Sequence, residues 1–211
     1  MSDEEYYMIE KQTITMHPIQ TTGLILDIGG GGEGIIGRLN GRGVVAIDTR
    51  IEELAETKND SIKIVMDAND LAFSPTSFDV ATSFFSLMFI KNKNHQRVFE
   101  EIHGVLKSEG IFYIWDVRIP SRNLDKLIFG LPLKIYVPDQ KIETGYGVGW
   151  DNKEQDFTYF KKLARRTSFD IITEWSKGEI FHLKLMKRVH NHQDKKNQTN
   201  DDRSRHVQCH G

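Results

Sequence analysis

The stretch ILDIGGGGEGIIGRL, residues 25–39, sets four consecutive glycines between an apolar strand pattern and a helix start. A strand ending at Ile28, a loop without Cβ atoms and then a helix let a ligand touch the backbone, with N–H groups pointing outward. Gly29, Gly31 and Gly34 satisfy Gly-x-Gly-x-x-Gly, and so do Gly32, Gly34 and Gly37, so the spacing alone does not name the ligand. A plain turn does not require consecutive glycines, each of which carries an entropic cost. The neighbouring acids discriminate better. Asp27, at the end of the strand, would repel a pyrophosphate and favour a cationic ligand. Asp48 ends the second strand about 20 residues further on, where a carboxylate accepts both hydroxyls of an adenosine ribose. Asp67 ends the third strand and, with Ala68 after it, offers an acceptor near an adenine edge.

Outward from this loop, short apolar runs recur at residues 24–28, 44–48, 62–67, 78–85 and 111–117, with helix-capable stretches between most of them. Alternating strand and helix predicts a parallel sheet. The best helix is 94–106, where Val98, Ile102, Val105 and Leu106 share a face and Gly110 follows the stop. Residues 118–150 carry Pro120, Pro132 and Pro138 yet stay apolar and aromatic, which suits an insertion or lid over one edge or over the site. A second helix over 153–167 leads into FDIITEW and EIFHLKLMKR, an antiparallel hairpin. Residues 1–189 thus read as one domain. Residues 190–211 are polar, of mixed charge, and expected to be a disordered tail.

Composition narrows the function classes. Among 211 residues, 28 Lys and Arg nearly balance 30 Asp and Glu, giving a formal charge of −2, so no strong basic field exists to hold nucleic acid. Cys209 is the single cysteine, which leaves no internal disulfide and no cysteine zinc site. His190, His192, His206 and His210 are irregularly spaced in the tail and read as solvated rather than metal-binding. The acidic N-terminus lacks a signal peptide's regions, and no apolar run approaches about 18 residues. A soluble, cytoplasmic protein is expected.

LDIGGGGEG resembles the first motif of the class I S-adenosylmethionine-dependent methyltransferases: hydrophobic, acidic, hydrophobic, then Gly-x-Gly-x-Gly. The similarity continues through VVAIDTR, MDANDLAF, FDVATSFFSLMFIKN and FEEIHGVLKSEGIFYIWD, and covers residues 22–117. The resemblance implies a methyltransferase domain of the small-molecule type. Its fold would be an α/β, Rossmann-like three-layer sandwich with a mostly parallel seven-stranded sheet, a C-terminal antiparallel hairpin and an insertion after the fifth strand. S-adenosylmethionine would be the cofactor, with direct in-line transfer to a small molecule or, as a second class, a protein. Carried over by position, the resemblance implies that Gly29 and Gly31 approach the methionine part, Asp27 orients its ammonium, Asp48 holds the ribose and Asp67 with Ala68 meets the adenine. Gly30 and Thr49 complete that set, and Ser83 and Phe84 would border the methionine end and the acceptor.

Three departures stand out. Glu33 occupies the place of the third glycine, with Gly34 one position late, so Glu33 is expected to turn to solvent or to cap the helix start. His103-Gly104 and Ser108-Glu109 replace the family's usual residues as scaffold variation. No Asn/Asp-Pro-Pro-Tyr/Phe follows the fourth strand, which argues against exocyclic amines of nucleic-acid bases as acceptors. Because a sulfonium already carries an activated methyl, a dedicated base is needed only where the acceptor must lose a proton, and the motifs name no catalytic side chain. His95 reads as a solvent-facing helix N-terminal residue in preference to a base, and His103 and His182 as packing or surface residues. Tyr6 and Tyr7 suit an arm over the cofactor or an exposed tail. Tyr136, Tyr146 and Trp150 suit an apolar acceptor pocket, or a hairpin packed on a sheet edge or in a homodimer contact. An NAD-dependent oxidoreductase and a non-catalytic cofactor-binding scaffold are the alternative functions.

Overall fold

The computed structural model describes residues 5–122 and 125–189. The proposed tail, with its four histidines and Cys209, lies outside the described residues. The strands are β1 (Tyr6–Met8), β2 (Gln12–Thr15), β3 (Ile25–Ile28), β4 (Val44–Asp48), β5 (Ile62–Val65), β6 (Phe78–Phe84), β7 (Leu106–Val117), β8 (Ile128–Val137), β9 (Gln140–Gly149), β10 (Phe169–Lys177) and β11 (Ile180–Lys187). The α-helices are α1 (Ile35–Asn40), α2 (Ile51–Glu56), α3 (Asn92–Val105) and α4 (Phe157–Arg166).

Seven strands form the main sheet in the order β10-β11-β7-β6-β3-β4-β5. The pairs β3–β4, β3–β6, β4–β5 and β6–β7 are parallel, while β11 runs antiparallel to both β7 and β10. The chain leaves β3 in one direction to β4 and later returns on β3's other side to β6. This reversal opens a crevice outside the carboxyl ends of β3, β4 and β6, where open α/β sheets bind ligands.

Strand alternation divides the core in two. Leu26, Ile28, Val45 and Ile47 point to the face covered by α3 and α4, where Val98, Phe99, Ile102, Phe160 and Leu163 are buried. Ile25, Val44 and Ala46 point to the other face. There α1 and α2 cover part of the sheet and a second, four-stranded sheet covers the rest. In that sheet β9 pairs antiparallel with one side of β8, and β1 and β2 pair in parallel with the other. Phe129, Leu131, Leu133 and Ile135 alternate along β8 and are fully buried. Pro132 lies opposite Gly145 and level with the break between β1 and β2, a position that tolerates its missing N–H.

Of the two placements expected for the 118–150 insertion, over one edge or over the site, it takes the second: it packs by its face against the main sheet and reaches the cavity, because its apolar residues alternate and fill one side. Two other expectations are corrected here. The N-terminal tyrosines are both residues of β1, neither an arm over the cofactor nor an exposed tail: Tyr7 stacks on Trp150 with centroids 4.6 Å apart, and Trp150 Nε1 donates to Pro120 O at 2.8 Å. The helix expected over 153–167 starts later, at Phe157, because Asp156 caps it by accepting from Tyr159 N at 2.6 Å. Asp156→Ala is expected to lower stability by about 1 kcal/mol, read from the denaturant midpoint. Among the described residues no helix is long and apolar enough to cross a membrane.

Candidate active site

A cavity of about 900 Å³ lies at the carboxyl ends of β3, β4 and β6 and is roofed by β9. It sits at the upper end of the range for small-molecule sites, roughly 300–1,000 Å³. Its floor is the glycine loop, its sides are Asp48, Thr49, Asp67 and Ala68, and its far wall is Phe84 to Ser86 with Phe89 and Ile90.

Asp27 is buried at the loop's base and accepts from Thr82 Oγ1 at 2.7 Å. Burial pushes its carboxyl up to about 7; the Thr82 hydrogen bond opposes this and the charge of Asp48 adds to it. A cation in the cavity would reverse that shift. Asp48 Oδ1 accepts from Arg50 N at 3.0 Å, and Asp67 Oδ1 accepts from Asn69 N and Nδ2 at 2.8 and 2.7 Å. These turns fix both carboxylates at their strand ends.

The glycines answer to the protein as well as to a ligand. Gly29 has φ +68°, and a Cβ there would fall 2.4 Å from Ser86 Cβ. A Cβ on Gly31 would fall 2.6 Å from Glu53 Cβ and 2.9 Å from Asp48 Oδ2. Gly30 lines the same floor. Ser86 donates to Ile28 O at 2.6 Å and pairs with Ser83 Oγ at 2.6 Å, so it buttresses the loop from below. Ser83, expected to border the site, does not line the cavity: its hydroxyl is fully buried against Ser86, which does. Phe84 does line the cavity.

Phe85 takes φ +52° immediately after β6, with its amide donating to Trp115 O at 2.8 Å. A non-glycine residue in this region costs on the order of 1–3 kcal/mol and persists where surrounding structure over-determines it. The twist turns the chain so that Phe85, Ser86 and Phe89 all reach the cavity. Sequence reasoning stopped at Phe84; the run FFSLMF carried the signal without the geometry.

Glu33 neither faces open solvent nor caps α1. Gly34, at φ +54°, holds the N-cap position, and the Glu33 carboxylate crosses the cavity to β9, accepting from Thr144 Oγ1 and from Tyr146 Oη at 3.1 Å. Tyr146 lies 6.1 Å from Phe85 and 6.2 Å from Phe89 between ring centroids, edge-on to the latter. Burial and the Glu33 carboxylate hold its phenol well above the ordinary range. Of the three aromatics expected in an acceptor pocket, Tyr146 lines the cavity; Trp150 is buried at the hairpin's base and Tyr136 points outward.

His95 is also corrected. It is fully buried, with Nδ1 3.0 Å from Tyr159 Oη and Nε2 3.0 Å from Leu87 O. Burial lowers it to about 4, and it supports the turn at Leu87–Phe89 from behind. Lys153 Nζ braces the same turn, donating to Met88 O at 3.0 Å and Ile90 O at 2.8 Å. His182 packs against Trp115 at 4.8 Å, and His103 meets Phe169 edge-on at 5.3 Å. Among the described residues no group of three or more His, Cys, Asp or Glu could hold a metal.

Residues 26–114, which contain the glycine loop and three of the cavity's walls, match the family model of a methyltransferase domain. Over that segment the chain is similar to the class I S-adenosylmethionine-dependent methyltransferases. A SAM-dependent methyltransferase from Methanosarcina mazei superposes with a TM-score of 0.58 at 20% identity, over 82% of this chain and 95% of that one. One from Mesorhizobium loti does so with a TM-score of 0.55 at 14% identity, over 80% and 94%. At such identities these likenesses show the fold. An uncharacterized protein of Methanocaldococcus jannaschii is 30% identical over 127 residues, 58% of this chain and 50% of that protein. The chain thus spans about half the length of that curated relative. The domain match implies S-adenosylmethionine as cofactor, and the bare glycine floor with a buried acid beneath it suits a ligand carrying positive charge.

Proposed function

We propose that the protein transfers a methyl group from S-adenosylmethionine directly to a small-molecule acceptor held under the β8–β9 hairpin. The observation that carries this reading is that the glycine loop and β9 line one cavity, with an aromatic wall between them. Asp27 would hold the cofactor's ammonium, Asp48 its ribose hydroxyls, and Asp67 with Ala68 its adenine; Gly29, Gly30, Gly31 and Thr49 would shape the bed. When bound, the cofactor supplies an activated methyl group on a sulfonium. The chain's own part is to orient the two reactants in line and exclude water, which the hairpin roof suits. A cytoplasmic setting belongs to this proposal, resting on a sequence whose single cysteine leaves no internal disulfide.

Calorimetry with S-adenosylmethionine, S-adenosylhomocysteine and NAD tests it: the first two are expected to bind and NAD not, and tighter binding of NAD would sink the reading. Incubation with methyl-labelled cofactor and a metabolite extract separates turnover from a binding scaffold. Label is expected in a small-molecule product.

A further inference from the structure

The geometry points to an amine as the methyl acceptor, seated against Phe89 and Tyr146 with Glu33 as its counter-charge. This inference rests on the methyltransferase reading and names the substrate class of the same cavity. Three observations support it.

The first is charge. Six carboxylates line the cavity against three cations, and two of those cations are already engaged, Arg50 with Glu53 at 2.8 Å and Arg38 with Glu33 O at 2.5 Å. With Asp27 and Asp48 assigned to the cofactor, Glu33 is the acid on the aromatic side. The second is the wall itself. Tyr146 and Phe89 stand nearly perpendicular, at 85°, so a group in the corner meets one ring face and one ring edge, and Glu33 binds the Tyr146 hydroxyl. Ring faces beside a carboxylate recognise a cation. The third is the kind of base on offer. No histidine or cysteine is among the described residues lining the cavity, the Tyr146 phenol is pushed well above the ordinary range, and carboxylates are too weak to take an alcohol's proton. An alcohol or phenol acceptor would need its proton taken during transfer. An amine bound as its cation beside Glu33 first loses one proton to water and then brings its own lone pair.

In the transfer, that lone pair forms the new N–C bond. The methyl group's former bond breaks with its electron pair kept by the leaving sulfur, and the nitrogen takes up the positive charge that sulfur gives up. The extra proton on nitrogen is then lost to water. Charge thus develops on nitrogen beside Glu33 and the rings, where an attraction that grows along the reaction lowers the barrier.

The test uses protein saturated with S-adenosylhomocysteine, which fills the cofactor's part of the cavity, at constant ionic strength. Tetramethylammonium, a mimic of the methylated product, is titrated against its neutral isostere tert-butanol and followed by aromatic NMR shifts. Tetramethylammonium is expected to bind at least about ten-fold more tightly than tert-butanol, and Glu33→Gln and Phe89→Ala are each expected to weaken it about five-fold. Phe89 is half exposed, so its variant keeps the core intact even if Glu33→Gln loosens the roof. Equal binding of the two probes, no binding of the cation, or indifference to both substitutions would overturn the inference. Failure of S-adenosylhomocysteine to bind the wild-type protein is seen in the loading step and marks failure of the underlying reading instead.

Discussion

Asp27→Asn is expected to gain stability over the wild type as pH rises from 4 to 8, with the difference growing by about 1.4 kcal/mol per unit across most of that window. Burial pushes the folded carboxyl up to about 7 from the 3.8 of a free aspartate. Between those values the unfolded chain has released a proton that the folded chain keeps, so stability falls with pH. The contribution is fully present below pH 3.8 and lost as pH passes 7. Asp116, buried and likewise raised to about 7 by burial, has the same sign. His95 and His182 oppose both: burial lowers each from 6.5 to about 4, so each adds stability as pH rises over that range. The wild-type curve is therefore expected to be nearly flat between about pH 4 and 6.5 and to decline above it. Subtracting the Asp27→Asn curve isolates the carboxyl. Cofactor affinity should move the other way, strengthening through pH 7 in the wild type and not in the variant, because an ammonium ligand favours the ionised form. Urea melts at several pH values with parallel calorimetry check both. A difference curve without slope would remove Asp27 as a titrating group.

Asp48→Ala is expected to weaken S-adenosylmethionine binding by about 1 to 3 kcal/mol, roughly 5- to 150-fold, through loss of a charged acceptor. Part of that loss is local, since Asp48 Oδ1 also holds Arg50 N at the start of α2. Asp48→Asn keeps the Oδ1 acceptor and removes the charge, so it should fall between Ala and wild type. Equal affinity in all three proteins would take Asp48 off the ribose.

The central parallel strands β3, β4, β6 and β7 were legible because strands buried on both faces read as continuous apolar runs; β5, an exposed edge strand, was legible only from its β-branched residues. β1 and β2 were not: three and four residues long, they gain their order from β8, far along the chain. Glu33 was legible as an anomaly and not as a role, since its partners Thr144 and Tyr146 lie 111 and 113 residues away. The same holds for His95, whose orientation is set by Tyr159, 64 residues on. Ser86 replaced Ser83 at the cavity because the positive φ of Phe85 shifts which side chains face in, and local propensity does not announce such a twist.

The pairing of Tyr6 with Ile128 and of Gln12 with Leu133 bears on the order of folding. β1 and β2 have no sheet partner until β8, far along the chain, has been made, whereas the neighbouring β3 and β4 can meet early. Long-range pairings of this kind form slowly because the chain between them must be closed first. The floor of the cavity should therefore precede its roof, so that a nascent or refolding chain passes through a form with an open cleft and an uncovered apolar face. That form is where a chaperone would hold this protein and where it would aggregate if none did.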